Sequence, residues 1–183
     1  VQFARRQMIE QQVRAWEVLD LRVLEALGRV PREEFAPAPY REIAFADAAA
    51  LLRRYGLQLH RVDDDASIPG SYWGESEAGI IGSDVYVRAD TPVHSLLHEA
   101  CHLIVLPAER RQAVHTDATD SVAEEDAVCL LQVLLGDALP GVGRDRVFAD
   151  MDAWGYTFRL GSARAYFERD ADAAWDWLRE RGL

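Results

Sequence analysis

The stretch HSLLHEACH, residues 94–102, constrains this chain more than any other part of it. It holds three of the five histidines in the sequence and lies in a helix-favouring run, VHSLLHEACHLIVL, between Pro92 and Pro107. Proline is tolerated at the first helical position, where its missing N–H has no intrahelical partner to lose, and a second proline stops the run. The pattern predicts one helix, capped by Thr91, opened by Pro92 and closed before Pro107. Within it His98 and His102 are four apart, so their imidazoles share a face one turn apart. Two such nitrogens can reach a single Zn²⁺ at about 2.0–2.1 Å. Glu99 follows the first histidine and projects beside it, where it can take a proton from an attacking water and later pass it to a leaving amine. HEACH is therefore an HExxH match in the helical setting the motif requires.

His94 and His102 are separated by about 12 Å along a straight helix axis, at about 1.5 Å per residue, so one metal does not easily take all three histidines. His94 reads either as a residue behind the ligands or on the wall of the cleft, or as a satisfied structural histidine.

Catalytic zinc takes three protein ligands and keeps one position open. A third histidine six beyond His102 is excluded, because Ala108 stands there. The segment DSVAEEDAVCLLQVLLGDAL reads as a second helix starting at Asp120 or Ser121 and ending at Gly136. Glu124 shares a face with Ala127, Val128, Leu131 and Leu135, all apolar, whereas Glu125 shares one with Val128, Cys129, Gln132 and Gly136. A carboxylate on a buried face must be paired or metal-bound. Glu124 is therefore the expected third ligand and Glu125 is expected to face solvent. His115, Asp117 and Asp120, between the two helices, are rivals to both.

Composition narrows the function classes. The 183-residue chain carries a net charge of −11 and no basic run, which argues against nucleic-acid binding, since phosphate contacts need clustered cations. All 20 basic residues are arginine, which removes Schiff-base lysines and the P-loop lysine. Two cysteines, Cys101 and Cys129, are too few for a disulfide scaffold and read as small buried hydrophobes. No apolar run approaches the roughly 20 residues of a membrane span, and VQFARRQMIEQQ lacks the apolar core of a signal peptide, so the expected compartment is the cytoplasm.

Residues 1–47 form an arginine-rich segment with helical spacing at Phe3, Ile9, Val13 and Trp16, and a second short helix between Asp20 and Gly28. APAPY at 36–40 is expected to be extended or turned. The stretch ARRQMIEQQVRAWEVLDLRVLEALGRVPREEFAPAPYREIAFAD resembles the N-terminal part of bacterial protein-L-isoaspartate O-methyltransferases. That family binds S-adenosylmethionine through a strand followed by a glycine-rich turn. Nothing after residue 47 supplies that arrangement, so the resemblance implies ancestry for a fused leader, and no S-adenosylmethionine binding is expected.

In residues 48–183, LLRRYG ends a helix begun near Ile43, LQLHRV and IIGSDVYVR read as strands, and 63–79 as loop with a possible short strand at SYWG. Ser162 caps a last helix whose Phe167, Ala171, Ala174, Trp175 and Leu178 share a core-facing stripe. Tyr156 and Tyr166 could each donate a hydrogen bond to a tetrahedral oxyanion.

HEACHLIVLP and EEDAVCLLQVLL, over roughly residues 84–136, are similar to the two core helices of the small gluzincin metallopeptidases, a compact bacterial group that cleaves phage repressors and stress regulators. Cys101 stands where that group often has glycine, and Ala127-Val128 where it has an Ala-Asn pair. The reading is an α+β protein: a helical leader over 1–47, then a zincin-like domain over 48–183 with a short antiparallel sheet beside the HExxH helix. The expected activity is zinc-dependent peptide-bond hydrolysis, with His98, His102 and Glu124 on the metal, Glu99 as base and acid, Tyr156 at the oxyanion, and a peptide or protein as substrate. The rival is a non-catalytic binding module on the same scaffold.

Overall fold

A computed structural model describes residues 39–183 apart from 75, 119, 120 and 157, with only the backbone of 39–44. The leader's expected helices and the rival ligand Asp120 lie outside the described residues. Within them the protein is α+β, with seven helices and one three-stranded sheet. Helix α1 (Pro39–Arg53) is followed by strands β1 (Gln58–Arg61), β2 (Gly79–Ile81) and β3 (Asp84–Val87). Then come helices α2 (Val93–Val105), α3 (Ala108–Arg111), α4 (Val122–Asp137), α5 (Gly143–Trp154), α6 (Ala163–Arg169) and α7 (Asp172–Glu180). The expected domain boundary at 47/48 falls inside α1. Pro39 and Tyr40 are already helical rather than extended, since proline fits a first helical turn.

The sheet is mixed, not antiparallel as expected. Its order is β1-β3-β2, with β3 parallel to β1 and antiparallel to β2. The reading IIGSDVYVR as one strand fails at Gly82, whose φ of +63° turns the chain into a two-residue hairpin between β2 and β3. The long loop of 62–78 joins β1 to β2, and together with β2 and its hairpin it provides the crossover that the parallel β1–β3 pair needs. SYWG is bend within that loop, not strand. The loop returns close against β2: a Cβ on Gly79 would stand 2.1 Å from the Pro69 carbonyl oxygen, so only glycine fits.

Helix α4 lies at the centre, packed on α2 and on both α5 and α7, while α2 also touches β2 and β3. Leu97, Ala100, Cys101 and Leu103 of α2 share a core with Ala127, Val128, Leu130 and Val133 of α4 and with Ile80 and Val85 of the sheet. Arg111 ties α3 beneath α2 by donating to the Leu106, Ile104 and Tyr55 carbonyls. The C-terminal segment forms two helices where one was expected. Ser162 does cap α6, accepting from the Ala165 N–H, but Asp170 leaves helical geometry (φ −140°) and accepts hydrogen bonds from Arg159. The stripe still packs inward: Ala171, Ala174 and Leu178 are buried, and Phe167 and Trp175 pack beside them. Helix α5, which the sequence reading did not anticipate, packs Val147, Phe148 and Met151 into the core. Among the described residues, no helix is long and apolar enough to cross a membrane.

Candidate metal centre

Helix α2 runs from Val93 to Val105, so the expected helix forms with its end before Pro107. Its start differs in detail. Pro92 is the cap residue, and the Thr91 hydroxyl accepts from the Arg88 N–H, closing the turn that leads out of β3. The Ser95 hydroxyl accepts from the Ala78 N–H and pins the first turn of α2 to the approach of β2.

His98 and His102 meet as their spacing requires, with their Nε2 atoms 3.2 Å apart and the ring planes at 84°. The carboxylate facing them belongs to Glu125. Its Oε1 stands 3.3 Å from Nε2 of His98 and its Oε2 stands 3.6 Å from Nε2 of His102. The structure thus sets Glu125, rather than the expected Glu124, opposite the imidazoles. The face of α4 turned toward α2 is the one carrying Glu125, Cys129 and Gln132; Glu124, one residue earlier, is rotated about 100° away at 3.6 residues per turn. Glu124 is buried at the third position after Ser121, whose hydroxyl caps its N–H. Ser-x-x-Glu is the spacing of a capping box, and the Ser121 hydroxyl makes one half of it by accepting from the Glu124 N–H.

These distances fit a metal. Two donors at about 2.0–2.1 Å from a tetrahedral zinc stand about 3.3–3.4 Å apart. The imidazole nitrogens at 3.2 Å and the His98–Oε1 pair at 3.3 Å are close to that edge, while His102 meets the other Glu125 oxygen, Oε2, at 3.6 Å. The ligand tautomer is also prepared. Nδ1 of His98 lies 2.9 Å from Oε1 of Gln132, a side chain with no solvent exposure. An Nδ1–H donated to that oxygen leaves Nε2 bare for a cation, the second-sphere arrangement that metal-ligating histidines adopt. Burial lowers the pKa of His102 to about 3, with His98 adding to the effect, and burial also lowers that of His98 against the pull of Glu125 and Gln132. Both rings are therefore neutral near pH 7, as metal ligands must be.

Glu99 has a carboxylate oxygen within 4.8 Å of ligand atoms on both histidines. Burial, reinforced by the negative charges of Glu77, Glu125 and Asp117, pushes its carboxyl well above the usual range. The Tyr156 ring stands edge-on to His98 with centroids 5.5 Å apart. Burial raises its phenol above its ordinary value, with Cys129, Glu125 and Glu99 adding and the Gln132 amide opposing. Tyr166 is elsewhere: its hydroxyl donates to the Asp126 carbonyl, a structural role. His94 forms the wall behind the centre. It is 3% exposed, neither ring nitrogen has a hydrogen-bond partner, and its ring meets Trp154 and Tyr156 edge-on, so the satisfied structural histidine is not what is found. Burial, with His98 and Arg146 adding, lowers its pKa to about 4.

Of the rivals, His115 and Asp117 lie within the described residues. His115 pairs with Ile81 and its Nδ1 lies 2.8 Å from the Thr116 hydroxyl, on an exposed segment. Asp117 bears on Glu99 through its charge but belongs to neither close donor group found among the described residues. Those groups are His98–Glu99–His102 and His98–Glu125–Cys129. Cys129 was read only as a buried hydrophobe. Its place one turn after Glu125, on the face that also carries Gln132, was the available sign of a role at the site.

No family model matches the chain, and no solved structure matches it. Curated relatives match its N-terminal region alone. That region is 51% identical over 43 residues to protein-L-isoaspartate O-methyltransferase 2 of Anaeromyxobacter sp. (strain Fw109-5), covering 24% of this chain and 18% of that protein. It is also 51% identical over 41 residues to protein-L-isoaspartate O-methyltransferase of Rhodopseudomonas palustris (strain ATCC BAA-98 / CGA009), 22% of this chain and 19% of that protein. The chain thus spans less than a fifth of the length of these relatives. The leader is similar to a short stretch of proteins named for an enzyme family, and the likeness does not bear on the histidine helices. Among the described residues no glycine-rich turn joins a strand to a helix.

Proposed function

We propose that this chain is a minimal HExxH zinc metallopeptidase, with His98, His102 and Glu125 holding the metal. The observation that carries this reading is the set of donor separations of 3.2, 3.3 and 3.6 Å, built from two packed helices. Zinc, when bound, polarises a substrate carbonyl and lowers the pKa of water toward about 7.

The remaining chemistry belongs to the chain. Glu99 is the base: its carboxylate lies beside the histidines, where it can take a proton from an attacking water and return it to the leaving amine nitrogen. Tyr156 stays protonated, as a hydrogen-bond donor to a developing oxyanion must. His94 and Tyr156 line one side of the centre. Gln132 fixes His98. The substrate class is a peptide or protein, and the expected compartment is the cytoplasm.

Elemental analysis tests the metal and a peptide library tests the chemistry. The parent should carry about one zinc per chain, the number one centre holds. His102→Ala should lose that zinc, whereas Glu99→Gln should keep it and lose cleavage. Equal zinc in parent and His102→Ala removes the basis of the reading. Zinc without turnover in the parent replaces it with a metal-bearing binding module.

A further inference from the structure

Helix α4 brings a second donor beside Glu125. Cys129 lies one turn further along the same face, just as His102 follows His98 on α2. Its Sγ stands 4.0 Å from Oε1 of Glu125, and ligand atoms of His98, Glu125 and Cys129 all lie within 4.8 Å of one another. Each of two packed helices thus offers a pair of donors four residues apart: two imidazoles from α2, a carboxylate and a thiol from α4. With sulfur at about 2.3 Å and nitrogen or oxygen at about 2.0–2.1 Å from a tetrahedral zinc, the edge between them is about 3.6 Å. The sulfur stands slightly beyond that edge from Oε1 of Glu125, with His98 also near, and so approaches the site from the Glu125 side.

We propose that Cys129 is a fourth protein ligand of the metal centre, completing a set of two nitrogens, one oxygen and one sulfur. This rests on the metal reading above and concerns the regulation of that same site. Coordination forms a metal–sulfur bond and releases the thiol proton to bulk water. Four protein ligands make the closed arrangement of structural zinc, whereas catalytic zinc keeps one position open. Cys129 therefore masks the centre, and cleavage requires its sulfur to leave.

Cobalt substitution of the full chain tests this directly. Co²⁺-loaded parent should show a sulfur-to-cobalt charge-transfer band in the near ultraviolet, retained in Cys101→Ala and lost in Cys129→Ser and Cys129→Ala. Zinc affinity, read by competition with a chelator, should fall at least about 10-fold in both Cys129 variants. Turnover per bound zinc should rise in Cys129→Ala. A metal-loaded parent without the band overturns the sulfur ligand, and needs no variant to fold. A band unchanged in Cys129→Ala does the same, and turnover per zinc that does not rise overturns the masking. A parent that takes up neither cobalt nor zinc fails at the earlier step, the metal centre itself.

Discussion

Glu125 faces His98 across the α2–α4 interface, with Oε1 of the glutamate 3.3 Å from Nε2 of the histidine. The two residues are far apart in sequence and neither helix alone can bring them together. The apolar packing of Leu97, Ala100 and Leu103 against Ala127, Val128 and Leu130 sets the spacing of the two helices. Once that packing is made, a partly exposed carboxylate meets two neutral imidazoles in a largely water-excluded site.

The adjacent glutamates should therefore behave differently. Glu125→Ala is expected to weaken zinc binding beyond the roughly 10–100-fold loss that follows removal of an outer-sphere partner. Glu124→Gln should bind within a few-fold of the parent and show its effect, if any, in thermal stability. Chelator competition on the two variants checks this, and the reverse ranking would return the ligand role to Glu124.

Gln132 gives a second test. Gln132→Leu keeps the volume of a fully buried side chain but removes the acceptor for Nδ1 of His98. Zinc affinity should fall about 10–100-fold. Gln132→Glu, which still offers an oxygen, should recover part of it. Parent-like affinity in the leucine variant would mean that the hydrogen bond does not orient the ring.

For Tyr156, the phenol hydroxyl is the group at issue. Tyr156→Phe should retain zinc and lower kcat about 10²–10³-fold with little change in KM, the signature of a lost oxyanion donor. A change confined to KM would assign the ring to substrate packing alone.

Acid should unfold the metal-free protein early. The folded pKa values of His94 (about 4) and His102 (about 3) lie below the ordinary value of 6.5, and that of His98 is lowered as well. A depressed pKa means that the unfolded chain binds a proton the folded chain refuses. The stability from these neutral rings is complete above pH 6.5 and falls as pH drops through 6.5 toward 4 and then 3. For His94 alone the loss at pH 4 is about 3 kcal/mol. Urea midpoints of the metal-free protein between pH 7 and 4 measure it, and His94→Leu should flatten the slope. An unchanged slope in that variant would remove His94 from the account.

Much of the centre was legible in one dimension. The helix of His98 and His102 follows from proline punctuation and a spacing of four, because a helix converts that spacing into contact without help from the rest of the fold. Ser162 was readable as a cap for the same reason, and Ser121 as one of two candidates with Asp120: the hydroxyl and the N–H it accepts from are three residues apart. Which glutamate faces the histidines was not legible, because a polar helix face reads as solvent-facing, yet Glu125 and Gln132 are polar on the face that meets them. The sheet was misread because alternation of side chains fixes which face is buried and leaves open which neighbour a strand pairs with, or in which direction.

The sequence by itself determined those local matters: the α2 helix, its paired imidazoles with Glu99 beside them, and the caps of α4 and α6. Tertiary structure decided which of two adjacent glutamates reaches the histidines, that Cys129 stands near His98 and Glu125, that Gln132 holds His98 and that β3 lies between β1 and β2. The reason is one of range. Backbone hydrogen bonding sets the relative placement of residues a few positions apart, whereas the face that α4 turns toward α2 depends on how both helices bury their apolar sides at once.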